Sequence, residues 1–445
     1  MQTLLDKQKQ YFNTGETLSY DFRINALKRL KNAIINNQDA LSKALYQDLQ
    51  KNEIEAYSTE IGYVLHSIDF TLKRLKKWMR VKKVKTPLFL LNTKSYIMPE
   101  PLGTVLIIGP YNYPFQLVIE PLIGAIASGN TAILKASEYV FHTETILEKI
   151  IQEAFEQQYI CLIKGDYLVN QQLVSLKFDH IFFTGSTRVG KQIYEAAAKN
   201  LVPVTLELGG KSPTIICSDA NLKLAAQRIA FGKFTNAGQT CIAPDYIYVE
   251  HSIKEPFQLE MKKAIKKMYE DESLFTNVIE RHQNRIKGLM ASSDIYYQSD
   301  FKHKIGPTLL ENVSLDAPIM QEEIFGPLLP ILTFSDINEV ISTLKTSEKP
   351  LALYLFTNSK KTQKKVFEML SFGGGAINDT LMHVANPYLP FGGIGHSGIG
   401  HYHGRYSFDL FSKQKGFIKK GRFDLGIQYP PYSNFKTKLI KFFLK

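Results

Sequence analysis

Three features of the sequence predict an α/β fold in which a parallel sheet wrapped by helices is joined to a second α/β lobe. From Thr104 onward, short apolar runs rich in β-branched residues alternate with helical stretches, the pattern of βαβ units. Before that point the apolar spacing is helical only. The 445 residues, at roughly 150 per domain, leave room for about three domains or lobes, and 44% hydrophobic with 22% charged residues is the composition of a packed chain.

The elements follow in order. Ile24, Leu27, Leu30 and Ile34 recur at spacings of three and four, and Asp39 is placed to cap a second helix running to Leu49. Residues 104–109 (TVLIIG) read as a strand, 110–114 as a turn, and the stretch to Ser128 as a helix stopped by Gly129-Asn130. A strand over 131–135, a helix over 143–158, a strand ending at Phe183 and a helix from Arg188 continue the alternation. Strands over 204–208 and 213–217, a helix over 219–234 with Asp219 as N-cap, and strands over 246–250, 330–334 and 353–356 build the second lobe. No Gly-, Pro- or Ser-rich linker separates the lobes, so motifs set the boundary near Gly209.

Composition bounds the setting. Cys161, Cys217 and Cys241 are too few for a disulfide framework, and no cluster has zinc-ligand spacing, so no metal is expected. Residues 1–49 lack the apolar core of a signal peptide and no run of 18 apolar residues occurs, so a soluble, cytoplasmic protein is expected. The net charge of +12 is local: residues 73–85 (KRLKKWMRVKKVK) carry eight positive charges and residues 413–445 nine against Asp424. The first run reads as a solvated helix end, and nucleic acid is not an expected partner. Residues 434–445 (NFKTKLIKFFLK) alternate Lys with Phe, Leu and Ile. That pattern fits a weak peripheral contact with an anionic membrane or a terminal helix packed on its own protein.

Four segments carry chemistry. Gly185 and Ser186 end a strand, with Gly190 inside the next helix, where glycines let backbone amides approach a phosphate; a plain strand-to-helix turn explains the same residues. Cys241 lies in a polar, Gly-containing segment after a helix, as a reachable thiolate requires, whereas Cys161 and Cys217 sit in apolar runs as inert thiols do. Glu207 ends a strand between leucines, where desolvation suits a base that takes a proton from water; the alternative is a structural acid paired with Lys211. Asn112, at the mouth of the first strand, offers an amide donor to an oxyanion or simply forms a turn.

These segments occur in a fixed order: Tyr111-Asn112-Tyr113-Pro114-Phe115, Leu134-Lys135-Ala136-Ser137-Glu138, Phe183-Thr184-Gly185-Ser186, Leu206-Glu207-Leu208-Gly209-Gly210-Lys211, Gly238-Gln239-Thr240-Cys241, Glu322-Glu323-Ile324-Phe325-Gly326-Pro327 and Pro390-Phe391-Gly392-Gly393. The set resembles the aldehyde dehydrogenase superfamily over nearly the whole chain. Met320-Gln321-Glu322-Glu323, Pro350-Leu351-Ala352-Leu353-Tyr354 and Tyr402-His403-Gly404 resemble its class 3 branch, which handles aromatic and medium- to long-chain aldehydes.

The resemblance implies a Rossmann-like NAD-binding domain over 1–85 and 104–208, and a catalytic domain over 209–397. It implies a bridging arm over 86–103 and 398–420 that joins a homodimer, leaving 421–445 as a basic tail. It makes Cys241 the nucleophile, Asn112 an oxyanion donor and Glu207 the general base, with Glu323 a second candidate whose usual role, beside Phe325, is to hold the nicotinamide ribose. Gly185 and Ser186 would meet the pyrophosphate, Gly190 would permit close helix packing, and Lys135 with Glu138 would meet the adenosine ribose. Glu138 favours NAD and Lys135 attracts the 2′-phosphate of NADP, so NAD is the expected cofactor and NADP the second. Tyr63, Tyr111 and Tyr113 would wall the cleft against apolar aldehydes. Residues 271–307 depart from the pattern: the segment is shortened and lacks a Gly-Arg pair after Asn277. Two other readings remain at this level, a CoA-acylating enzyme, against which Glu207 argues, and a basic membrane- or nucleic-acid-associated scaffold with a vestigial site.

Overall fold

The computed structural model describes residues 1–291, 293–424 and 426–444. Its six-stranded sheet runs Gly398–Ile399, Val204–Glu207, His180–Thr184, Thr104–Ile108, Thr131–Lys135, Ile160–Leu162, and every pair except the first is parallel. Thr104–Ile108 and Thr131–Lys135 are buried along their whole length, which is why they read as continuous apolar runs and not as alternating ones. The helix Gln116–Ser128 between them is also wholly buried and ends where Gly129 adopts φ 92°. A side chain there would strike Arg23, whose Nη2 lies 2.4 Å from the position of a Cβ, so the close approach requires glycine.

A seven-stranded sheet follows in the order Asp294–Gln298, Thr308–Glu311, Leu328–Phe334, Tyr246–Glu250, Pro213–Ile216, Ala352–Phe356, Gly374–Ile377, antiparallel only at its first pair. The third sheet is a small antiparallel one of Lys82–Val84, Thr93–Pro101 and Ser412–Lys420. Apolar residues from the first two sheets and the N-terminal helices share one buried cluster.

Several expected boundaries move. Asp39 lies in the first turn of Gln38–Leu49, and Asn37 occupies the cap position because the preceding helix ends there. Asn221, not Asp219, caps Leu222–Phe234 by accepting from the Leu224 N–H; Asp219 instead accepts from Thr357 and Asn358 at the end of a neighbouring strand. The helix expected over 143–158 is Phe141–Ala154, since Phe155 is extended ahead of Ile160–Leu162. The basic run 73–85 is not one helix end: after the short helix Leu75–Trp78 it becomes the exposed edge strand Lys82–Val84, which pairs with the arm. Gly398–Ile399, expected in the arm, closes the six-stranded sheet instead. The tail forms the helix Asn434–Phe443, with Leu439, Ile440 and Phe443 half-buried and no residue buried. No helix among the described residues is long and apolar enough to cross a membrane, and no group of three His, Cys, Asp or Glu there is arranged to hold a metal.

Candidate active site

Cys241 is held by a loop that the helix Leu222–Phe234 delivers and that hydrogen bonds then fix. Asn236, Ala237 and Gly238 all take left-handed backbone angles, with φ 54°, 52° and 74°. A Cβ on Gly238 would sit 2.3 Å from the Gly326 carbonyl oxygen, so glycine is obligatory. Asn236 donates its backbone N–H to Glu55 Oε1 at 2.8 Å and its Nδ2 to the Asn112 carbonyl at 2.9 Å. Gln239 donates Nε2 to the Asn277 carbonyl at 3.0 Å and accepts from the Ile279 N–H at 3.1 Å. The segment where the sequence departs from its family pattern thus supports the loop before the thiol.

Asn112 comes from the opposite lobe, just after Thr104–Ile108. Its Nδ2 donates to the Gln239 carbonyl at 2.8 Å, which leaves a second amide hydrogen for another acceptor. Its own carbonyl accepts from Lys51, which forms a buried ion pair with Glu60 at 2.5 Å; Glu60 in turn accepts from the Phe115 and Gln116 amides. Tyr113 hydrogen-bonds Thr240 at 2.6 Å, tying this mouth to the residue before Cys241.

Cys241 is half-buried while Cys161 and Cys217 are buried, as expected. Burial, then the carboxyls of Glu323 and Glu207, push its thiol above the usual range. Glu207 is 3% exposed at the end of its strand, and neither carboxyl oxygen has a hydrogen-bond partner among the described residues. Burial pushes it well above the usual carboxyl range. The alternative pairing with Lys211 does not form: Lys211 binds Asp245 at 2.5 Å and the carbonyls of Ile319 and Glu322.

Glu323 lies against Gly209, where a Cβ would be 2.0 Å from Oε2, and accepts from the Gly210 N–H. Burial first, and Asp245 second, push it up to about 8. Its segment is pinned by Arg285, which donates to the Glu323 and Ile324 carbonyls, and by Asp245, which accepts from the Ile324 N–H at 3.0 Å. Phe325, at φ 48°, meets Tyr111 edge-on at 6.1 Å.

The residues at this edge fit a dinucleotide. Ser186 caps Thr187–Ala198, and the remaining amides of that helix N-terminus form an anion-ready end. A Cβ on Gly190 would lie 2.6 Å from Leu208 Cδ2, so this glycine does permit close packing of the helix on its neighbouring strand. A cavity of about 660 Å³ touches Thr187, Gly209, Gly210 and Glu323 but extends away from them past Tyr246, Tyr248 and Pro350, and Gly185, Ser186, Lys135, Glu138 and Cys241 do not line it. Glu138 is half-buried on the loop after Thr131–Lys135. Lys135 differs from expectation: it is fully buried, donates to the Ala136 carbonyl and lies 3.9 Å from Glu144, so its ammonium is engaged inside the fold.

The three tyrosines have different neighbours: Tyr113 is buried on Thr240. Tyr111 packs against His282 and Phe325, whereas Tyr63 adjoins His403, which stacks on Phe391 at 4.9 Å and meets Tyr402 at 4.3 Å. Sequence reasoning missed the anchors Lys211, Asp245 and Arg285, although a charge four residues after Cys241 in the otherwise apolar run IAPDYIYV was a signal.

Residues 2–417 match the aldehyde dehydrogenase family, and the chain belongs to it. It is an NAD(P)-dependent enzyme that oxidises aldehydes to carboxylic acids, and the CoA-acylating and scaffold readings are not favoured. It is 50% identical over 450 residues to the 4,4'-diaponeurosporen-aldehyde dehydrogenase of Staphylococcus aureus (strain NCTC 8325 / PS 47), covering 98% of this chain and 97% of that protein. It is 42% identical to the dimeric NADP-preferring aldehyde dehydrogenase of Rattus norvegicus, over 93% of each. A solved structure described as the substrate-bound state of Staphylococcus aureus AldH superposes with a TM-score of 0.98 at 49% identity, covering 100% of this chain and 99% of that one.

Proposed function

We infer that this enzyme oxidises long apolar aldehydes by cysteine catalysis, with Cys241 as nucleophile, Asn112 as oxyanion donor and Glu207 as general base. The observation that carries the reading is Glu207: a buried carboxyl with neither oxygen hydrogen-bonded, acting electrostatically on Cys241. Such a group is costly to keep unless it has a proton to move.

The Cys241 thiolate adds to the aldehyde carbon, forming a C–S bond, and the carbonyl electron pair becomes an oxyanion. Asn112 Nδ2 and the Cys241 backbone N–H hold that charge. NAD(P), when bound, supplies the acceptor for the hydride that leaves the former aldehyde carbon. The thioester then remains on Cys241. Glu207 takes a proton from water, the water oxygen adds to the thioester carbon, the C–S bond breaks, and the carboxylic acid leaves. Glu323 and Phe325 would hold the nicotinamide ribose, and Gly185 with Ser186 the pyrophosphate.

One observation favours an extended, apolar substrate: the substrate named for the Staphylococcus relative. A homodimer bridged by the small sheet is in keeping with the exposed Phe417 and Ile418 of Ser412–Lys420 and with the dimeric rat relative. The exposed Phe435, Phe442 and Leu444 beside Lys436, Lys438 and Lys441 favour weak, reversible contact with anionic lipid.

The test is reduced-cofactor formation with benzaldehyde, hexanal and a long-chain aldehyde, each with NAD and NADP. Cys241→Ala abolishes activity. Glu207→Gln keeps a first-turnover burst but slows the steady state by about a hundredfold or more, because acylation survives and deacylation does not. Full steady-state turnover in Glu207→Gln removes that residue from the mechanism.

A further inference from the structure

Lys51 and Glu60 form an ion pair whose side chains are both fully buried, with Nζ 2.5 Å from Oε1, and the reaction above gives neither a part. Both come from one short stretch. Gln50, at φ 51°, ends the helix Gln38–Leu49, and Asn52 caps Glu53–Ala56 by accepting from the Glu55 N–H at 2.9 Å. The π-helical turn Tyr57–Ile61 follows and carries Glu60, a widened turn of a kind that collects at functional sites. Taking two charges out of water is costly, so a buried pair here asks for a use other than stability.

The remaining bonds of the pair go to the chain around Asn112. Lys51 Nζ donates to the Asn112 carbonyl at 3.2 Å and lies 4.4 Å from the centre of the Tyr113 ring. Glu60 Oε2 accepts from the Phe115 N–H at 2.9 Å and the Gln116 N–H at 3.3 Å, where the helix Gln116–Ser128 starts without a side-chain cap of its own. The pair thus grips the turn 112–116 at both ends. The bonds between Asn112 and the Cys241 loop do something else: Asn112 Nδ2 donates to the Gln239 carbonyl, and Asn236 Nδ2 donates to the Asn112 carbonyl, which fixes turn and loop to each other. Lys51 ties the same carbonyl to the N-terminal helices. Glu55 of the same stretch holds the loop side, accepting from the Asn236 N–H at 2.8 Å and from Thr276 Oγ1 at 3.1 Å. Residues 51–60 therefore hold both the oxyanion donor and the loop before the nucleophile.

We propose that Lys51 and Glu60 are positioning residues for oxyanion formation: the ammonium fixes Asn112 through its carbonyl, with Glu60 as counter-charge, so that the free Nδ2 hydrogen of Asn112 keeps the orientation a developing oxyanion needs. The inference rests on Cys241 as nucleophile and Asn112 as oxyanion donor. Without the pair the turn keeps its bonds to the loop but loses its anchor in the N-terminal helices, and a donor that shifts loses much of its hold on a charge that exists only as the reaction proceeds.

Full-length Lys51→Met is compared with Lys51→Met combined with Glu60→Gln, which leaves no unpaired buried charge. Two reactions of Cys241 are timed in each. The first-turnover burst of reduced cofactor with hexanal and NAD passes through the oxyanion. Thiomethylation by methyl methanethiosulfonate, without cofactor and with the modified peptide mapped, is attack on sulfur and forms no oxyanion on carbon. Both variants should slow the burst by about tenfold or more and change the thiomethylation by less than about twofold. In an Asn112→Ala background the combined variant changes the burst by less than about twofold further, since the donor it positions is gone. A full burst in both variants overturns the proposal. So does a thiomethylation slowed as much as the burst, which is what a merely loosened Cys241 loop would give, and so does an equal further loss in the Asn112→Ala background. The premise fails separately: a full burst in Asn112→Ala alone removes the oxyanion donor, and label on another cysteine removes the nucleophile.

Discussion

Burial favours the protonated carboxyl of Glu207, so the form that accepts a proton from water is the less populated carboxylate. Its carboxyl is raised well above the usual range in the folded chain, so between the ordinary carboxyl range and that higher value the folded state holds a proton that the unfolded state has released. Stability from this residue is therefore fully present at low pH and declines as pH rises. Glu207→Gln, which cannot ionise, should gain melting temperature over the wild type at pH 8 and gain little at pH 4.5. Thermal unfolding at the two pH values measures the difference, and an equal effect at both would mean that the carboxyl is solvated. At this scale the sequence was most informative: Asn112 bonds the Gln239 carbonyl two residues before Cys241, and the carboxyls of Glu323 and Glu207 act on the Cys241 thiol. The Lys211–Asp245 pair and the inward Lys135–Glu144 contact were illegible, because partners far apart in the chain carry no local pattern that joins them.

Elements depend on which polar side chain meets the first free amides, and the second lobe offers a clean case. Asn221 Oδ1 accepts from the Leu224 N–H and starts the helix that delivers the Cys241 loop, whereas Asp219 serves Thr357 and Asn358. Asn221→Ala should cost about 1 kcal/mol of stability and loosen the first turn of Leu222–Phe234, visible as faster amide exchange at residues 223–225. Unchanged exchange there would deny Asn221 the capping role. Both residues are good caps in the sequence, and only the tertiary partners of Asp219 decide between them. Strands were easier to read: Thr131–Lys135 and Tyr246–Glu250 have the expected limits, since buried parallel strands are continuous apolar runs. Lys82–Val84 was not, because an exposed, lysine-rich edge strand has no apolar face to betray it.

Across the whole molecule, charge and assembly separate. The small sheet carries the proposed dimer contact, while the helix Asn434–Phe443 has no buried residue and exposes Phe435 and Phe442. A chain ending at residue 433 should still sediment as a dimer and keep its activity on hexanal, yet no longer float with anionic vesicles. Unchanged flotation would move the lipid contact elsewhere on the surface. That two lobes exist was legible from the alternation of strands and helices; the order of strands within each sheet was not, because it is set by crossovers that leave no mark on local spacing.

The closure of the six-stranded sheet also orders events during synthesis. The strand that ends in Glu207 is made early, but its outer neighbour, Gly398–Ile399, leaves the ribosome only when most of the chain is complete. Until then the nascent protein presents Val204–Glu207 as a bare edge, open to pairing with another chain, so the residue proposed for water activation borders the part of the fold most dependent on finished translation.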